Sequence, residues 1–143
     1  MSAARPLVWF NHGLSQIYDA VRLLREGSAG AIAVCASHRD PDAPVRLIAD
    51  RVVEEPPRET PEEDYVQWAL EVCARHGVRL FVPSRHAAAI ARARANFEAI
   101  GVRLQLAPAE ALSGCRTGRQ CWGSAWPRQT RCRYRAPAQG SPR

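Results

Sequence analysis

Short β-prone runs alternate with helical stretches from Leu7 to Leu106, and this alternation limits the fold more than any other feature. Leu7-Val8-Trp9-Phe10 is the first run, closed by Asn11-His12-Gly13. From Ser15 the spacing turns helical: Ile17, Ala20, Val21 and Leu24 recur at three- and four-residue steps, and Glu26-Gly27 ends the segment. Ala31 to Ala36 is apolar throughout, as in a strand buried on both faces of a parallel sheet. A polar loop, Ser37-His38-Arg39-Asp40-Pro41-Asp42, follows it. A turn through Val45–Ala49 leads to a brief strand, Arg51–Glu54, before Pro56-Pro57 breaks the backbone.

The second helix carries the clearest boundary signals. Thr60 reads as its N-cap, Pro61 as its first residue and Glu63 as the partner in a capping box. Val66, Ala69, Leu70 and Cys73 form the expected buried stripe, and Gly77 stops the helix. Val78–Val82 is the fourth strand. A third helix is expected over Ala87–Ile100, with Ile90, Ala93, Phe97 and Ile100 inward and Gly101 as its stop. Val102–Leu106 is the fifth strand. The order β-α-β-turn-β-α-β-α-β requires crossover connections. The expected fold is therefore α/β and Rossmann-like: a mostly parallel sheet of about five strands with helices on both faces.

Charge divides the chain near Leu112. Residues 1–112 carry 13 Arg against 14 acidic residues, a net of −1. Residues 113–143 carry seven Arg and no acid, a net of +7, and show no periodicity. This gives a folded domain over 1–112 and an irregular Arg-rich tail over 113–143, expected to be disordered. No run approaches the roughly 20 apolar residues of a membrane span. The N-terminus lacks the pattern of a secretory signal. Cys35 and Cys73 fall in apolar segments, as reduced packing cysteines do. A cytoplasmic protein without a membrane partner is the expectation. Cys115, Cys121 and Cys132 lack the paired spacing of a zinc site, so no metal is assigned.

In parallel sheets ligands bind beyond the carboxyl ends of the strands. Three polar loops fall there: Asn11–Ser15, Ser37–Asp40 and Pro83–His86. Their convergence would suit an anionic ligand, although short polar loops also end strands for purely structural reasons and Ser15 can simply cap the first helix. Asn11–Ser15 holds one glycine and is no dinucleotide-binding loop, which disfavours NAD.

Those same stretches carry a family resemblance. Val8-Trp9-Phe10-Asn11 through Ser15 and its helix, Ser37-His38-Arg39-Asp40-Pro41, Phe81-Val82-Pro83-Ser84-Arg85 and Asn96–Val102 resemble the N-terminal, pre-ATP-grasp domain of ATP-grasp ligases. The likeness is to the type shared by the carbamoyl-phosphate synthase large chain and biotin carboxylase, and it covers residues 6–112. It implies a Rossmann-like domain forming the substrate side of an active site for a small carboxylate. Asn11, His12, Ser15, His38, Arg39, Ser84 and Arg85 are the substrate-binding candidates, and none is assigned a catalytic role. Arg85 leads, because a guanidinium can hold a carboxylate by two parallel hydrogen bonds. ATP and Mg²⁺ are implied for the full-length family, where later domains hold the nucleotide. No cofactor is expected in this chain, which has no lysine to serve as that family's phosphate-binding residue.

The tail departs from the family pattern, which continues with a Leu-x-x-x-x-Asp-Lys-Ala-x-Met helix and a Val-Pro-x-Pro strand. Read from the third base of each codon, Arg116–Cys121 allows Asp-Arg-Ala-Ala-Met-Leu, with the Leu forced by Cys121-Trp122. In the same frame Gln129–Tyr134 allows Asp-Pro-Val-Pro-Val-Ser. The expectation is a truncated ligase whose tail is a frameshifted start of the next domain, without catalysis of its own. Loss of a covering domain would also favour self-association. The alternative is a Rossmann-like binding module whose basic tail, with Trp122, Trp126 and Tyr134, contacts nucleic acid; this is the weaker reading.

Overall fold

A computed structural model describes residues 5–11 and 16–113. Its elements are β1 (Leu7–Phe10), α1 (Gln16–Gly27), β2 (Ala33–His38), α2 (Val45–Ile48), β3 (Arg51–Glu54), α3 (Glu62–His76), β4 (Val78–Val82), α4 (Ala87–Arg92), α5 (Arg94–Ala99), β5 (Arg103–Leu104) and α6 (Ala109–Ser113). The five strands form one sheet in the order β3-β2-β1-β4-β5, and every pairing is parallel. The chain winds outward from β1 to β3, then returns across β1 to β4 and β5. The reversal between β1 and β4 is the topological switch point, where such sheets open a crevice at their carboxyl edge.

The alternation of side chains along each strand splits the core into two layers. Leu7 and Trp9 of β1 join Cys35, Tyr65, Ala69, Cys73, Phe81, Ile90 and Phe97, beneath α3, α4 and α5. Val8 and Phe10 join Val21, Val34, Ala36 and Val45, beneath α1 and α2. Helices thus cover both faces, as the crossover pattern requires. Trp9 stacks on Phe81 with ring centroids 4.1 Å apart and planes 11° from parallel. Each such fully buried apolar side chain favours the fold by roughly 1.5–3 kcal/mol before entropy is counted.

Five features differ from the expectation. β2 starts at Ala33 rather than Ala31, because Ala29 and Gly30 adopt left-handed φ and Ala31 N–H closes a turn on Ser28 O. It also runs on through Ser37 and His38, since buried Ser37 accepts a hydrogen bond from the Trp9 indole (3.2 Å). Pro61, not Thr60, is the N-cap of α3: its carbonyl takes the Tyr65 N–H at 2.9 Å and no side chain caps the end. Three acidic residues, Glu62, Glu63 and Asp64, face the positive end of the helix dipole instead. The single helix expected over 87–100 breaks at Ala93, whose N–H is shared between Ala89 O and Ile90 O. That tightening turns Phe97 into the core and leaves Ile100 at 44% exposure, outside it. β5 is correspondingly shorter than expected. Among the described residues no helix is long and apolar enough to cross a membrane.

Candidate functional site

Asn11 sits at the carboxyl end of β1, on the switch point, and is 1% exposed. A buried carboxamide must satisfy both its ends. Its Nδ2 donates to Tyr65 Oη (2.9 Å) and to the Arg85 carbonyl (3.0 Å). Its Oδ1 accepts the Ser84 N–H (2.6 Å) and a longer contact from the Arg85 N–H (3.4 Å). Ser84 Oγ donates back to the Asn11 carbonyl at 2.9 Å. Asn11 therefore staples the end of β1 to the loop after β4, at the point where the sheet would otherwise part.

Arg85 extends the staple to a third loop. Nη1 donates to Pro56 O (2.9 Å) and lies 3.4 Å from Glu55 Oε1; Nη2 donates to Pro57 O (2.7 Å) and Arg58 O (3.1 Å). The guanidinium carbon also lies 4.7 Å from the centre of the Tyr65 ring. The Glu55 side chain is fully buried, and its Oε1 accepts a 2.5 Å hydrogen bond from Tyr65 Oη. That phenol is pushed well above its usual range, first by burial and then by the Glu55 charge, so it stays protonated and donating. The grip on a carboxylate expected of Arg85 is thus made with the chain's own Glu55. A substrate carboxylate at this guanidinium would have to displace the carbonyls and strand a buried charge.

His86 follows with a left-handed φ of 52° and caps α4. Its Nδ1 is 3.8 Å from Glu62 Oε1, while Arg92 Nη2 donates to Glu62 Oε2 at 2.9 Å. Burial, then the adjacent Arg85 charge, lower its pKa against the opposing pull of Glu62 and Glu55. The net direction favours the neutral imidazole.

The candidates thus separate into two groups. Asn11, Ser84 and Arg85 converge at the switch point. His38 ends β2 and Arg39 follows it, on the far side of β1. His38 Nδ1 accepts the Asp40 N–H (3.1 Å), and its carbonyl takes Arg46 Nη1 (2.9 Å). His12 and Ser15 lie outside the described residues, as does the tail from 114 onward. Glu55 and Tyr65 are central members that the sequence reading passed over. A signal for Tyr65 existed: Tyr65, Ala69, Val72 and Cys73 are the buried positions of α3, one residue before the stripe expected to begin at Val66.

No protein-family model matches the sequence, and no curated protein matches it. Solved structures do match the fold. The biotin carboxylase domain of the Hydrogenobacter thermophilus 2-oxoglutarate carboxylase aligns over 75% of this chain and 24% of its own, at 15% identity and a TM-score of 0.55. The biotin carboxylase subunit of a pyruvate carboxylase aligns over 75% and 24%, at 18% identity and 0.52. The corresponding domain of a single-chain bacterial carboxylase aligns over 76% and 25%, at 23% identity and 0.50. The chain spans about a quarter of the length of these structures. At these identities the likeness establishes the fold: a five-stranded, Rossmann-like α/β domain like a part of these biotin carboxylase structures.

Proposed function

We propose that this chain supplies the substrate-side N-terminal domain of an ATP-dependent carboxylate ligase of the ATP-grasp type, and that it has no catalysis of its own. The observation that carries the reading is the match in fold to biotin carboxylase domains over three-quarters of the chain, built here on the all-parallel β3-β2-β1-β4-β5 sheet. ATP-grasp chemistry activates a carboxylate as an acyl phosphate, which demands cations around the triphosphate and carboxylates on Mg²⁺. A chain without lysine does not bring the phosphate-binding lysine of that family. The partner substrate is then a small carboxylate met on the carboxyl edge, with ATP and Mg²⁺ held elsewhere. The free, buried thiols of Cys35 and Cys73 fit a reducing cytoplasm.

Calorimetric titration of the purified chain with MgATP tests the reading. No saturable heat is expected. Saturable, stoichiometric MgATP binding by this chain alone overturns it.

A further inference from the structure

A cleft of about 350 Å³ opens at the carboxyl ends of β1 and β2, on the face covered by α1 and α2. This is the range of small-ligand pockets and many times the space of one water. It belongs to a different layer from the Asn11–Arg85 staple, and no residue given a role there other than Asn11 reaches it. Phe10, Ile17, Ala36, Ala43 and Val45 supply most of its wall, joined by Tyr18 and His38.

Two features of the lining select the ligand. First, no Asp, Glu, Lys or Arg is among the described lining residues. Against these residues a charged molecule would lose its hydration without a countercharge, at a cost that apolar walls cannot repay. Second, the one carboxamide among the described lining residues is already committed. Both ends of the Asn11 side chain are bonded to Tyr65, Ser84 and Arg85, so it has little left for a guest. Among the described lining residues the remaining side-chain polar complement is small: the Tyr18 hydroxyl, the Ser37 hydroxyl, which already accepts the Trp9 indole N–H, and the His38 ring, whose Nδ1 already accepts the Asp40 N–H. Phe10 and Tyr18 provide aromatic surface, which prefers another ring by edge or offset contact.

The geometry points to a binding site for an uncharged, ring-bearing small molecule in this cleft, of the size and polarity of a simple heteroaromatic. The site goes beyond the proposed ligase role and does not depend on it.

Ligand-observed NMR titration of the full chain with indole, in the absence of nucleotide, tests this. Saturable binding of indole is expected, with benzoate of similar size failing to saturate over the same range. Ala43→Phe fills the cleft and abolishes indole binding. Tyr18→Ala, at a half-buried helical position where the backbone is undemanding, weakens it about tenfold or more, the scale of a lost aromatic contact in a desolvated site. Tyr18→Ala decides the matter if Ala43→Phe does not fold. Absence of saturation by indole, equal binding of benzoate, or indole binding unchanged by Tyr18→Ala overturns the assignment. None of these outcomes depends on the MgATP titration, so the two readings fail separately.

Discussion

Glu55 is the residue on which the carboxyl edge turns. Its carboxylate is shut away from water and held by one phenol and one guanidinium, with Oε2 lacking a hydrogen-bond partner among the described residues. Removing one partner of a buried ion pair leaves an uncompensated charge, which costs more than the pair itself contributes. Arg85→Met, which keeps the stem and removes the charge, is therefore expected to destabilise the fold by about 3–5 kcal/mol. Adding Glu55→Gln should recover a large part of that loss, because a neutral amide needs no countercharge. Urea unfolding of the wild type, both single variants and the double variant measures the coupling. A cost under about 1 kcal/mol for Arg85→Met, typical of an exposed pair, would show that the clasp is ornamental. The sequence exposed half of this arrangement. An Arg at a strand's carboxyl end, after Pro83-Ser84, announces a carboxylate partner, but nothing local says that the partner is Glu55, thirty residues earlier on another loop. Long-range pairing of this kind is set by which strands become neighbours. That order, β3-β2-β1-β4-β5, is not written in any one segment.

At the scale of elements, legibility followed the strength of the local signal. β1 and β4 needed only their apolar runs. α3 ended where Gly77 said it would, with φ of 67° and its N–H on Cys73 O. The break at Ala93 carried no such signal, since alanine favours helix; the helix bends there because Phe97 must enter the core and Arg94 reaches back to the carbonyls of Leu104 and Leu106. Tertiary demand outweighed propensity. Two of the helix-terminal glycines, Gly77 and Gly27, separate conformational need from mere tolerance. A Cβ at Gly77 would meet nothing within 4 Å, so the only obstacle to a side chain is the left-handed backbone. Gly77→Ala should then cost about 1 kcal/mol. Gly27, the last residue of α1, also has open space around it and no left-handed φ. Gly27→Ala should stabilise by about 0.5–1 kcal/mol through the unfolded chain's lost freedom. Urea midpoints that move in opposite directions confirm the distinction; midpoints moving together refute it.

For the molecule as a whole, the two-layer core sets the pH range over which it stays folded. Cys35 and Cys73 lie in the same layer, and burial raises both thiols from 9.0 to about 12, with Arg51 pulling Cys35 slightly back. Tyr65 moves in the same direction for the same first reason, burial. A group whose pKa is raised by folding contributes its full stability below its unfolded value and loses it as pH climbs toward the folded one. The unfolded chain can ionise these thiols between pH 9 and 12 while the folded chain cannot, so each draws off about 1.4 kcal/mol per pH unit in that window. His76 and His86 act at the other end. Burial lowers both from 6.5, so their contribution is present above that value and fades as pH falls below it. Stability should therefore plateau between about pH 6.5 and 9 and fall on either side, most steeply on the alkaline one. Urea midpoints taken from pH 5 to 11 give the profile, and Cys73→Ala should make its alkaline limb shallower while leaving the acid limb in place. A flat midpoint from pH 9 to 11 would mean that water reaches the thiols, and that the sheet face bearing Trp9 and Phe81 is not closed.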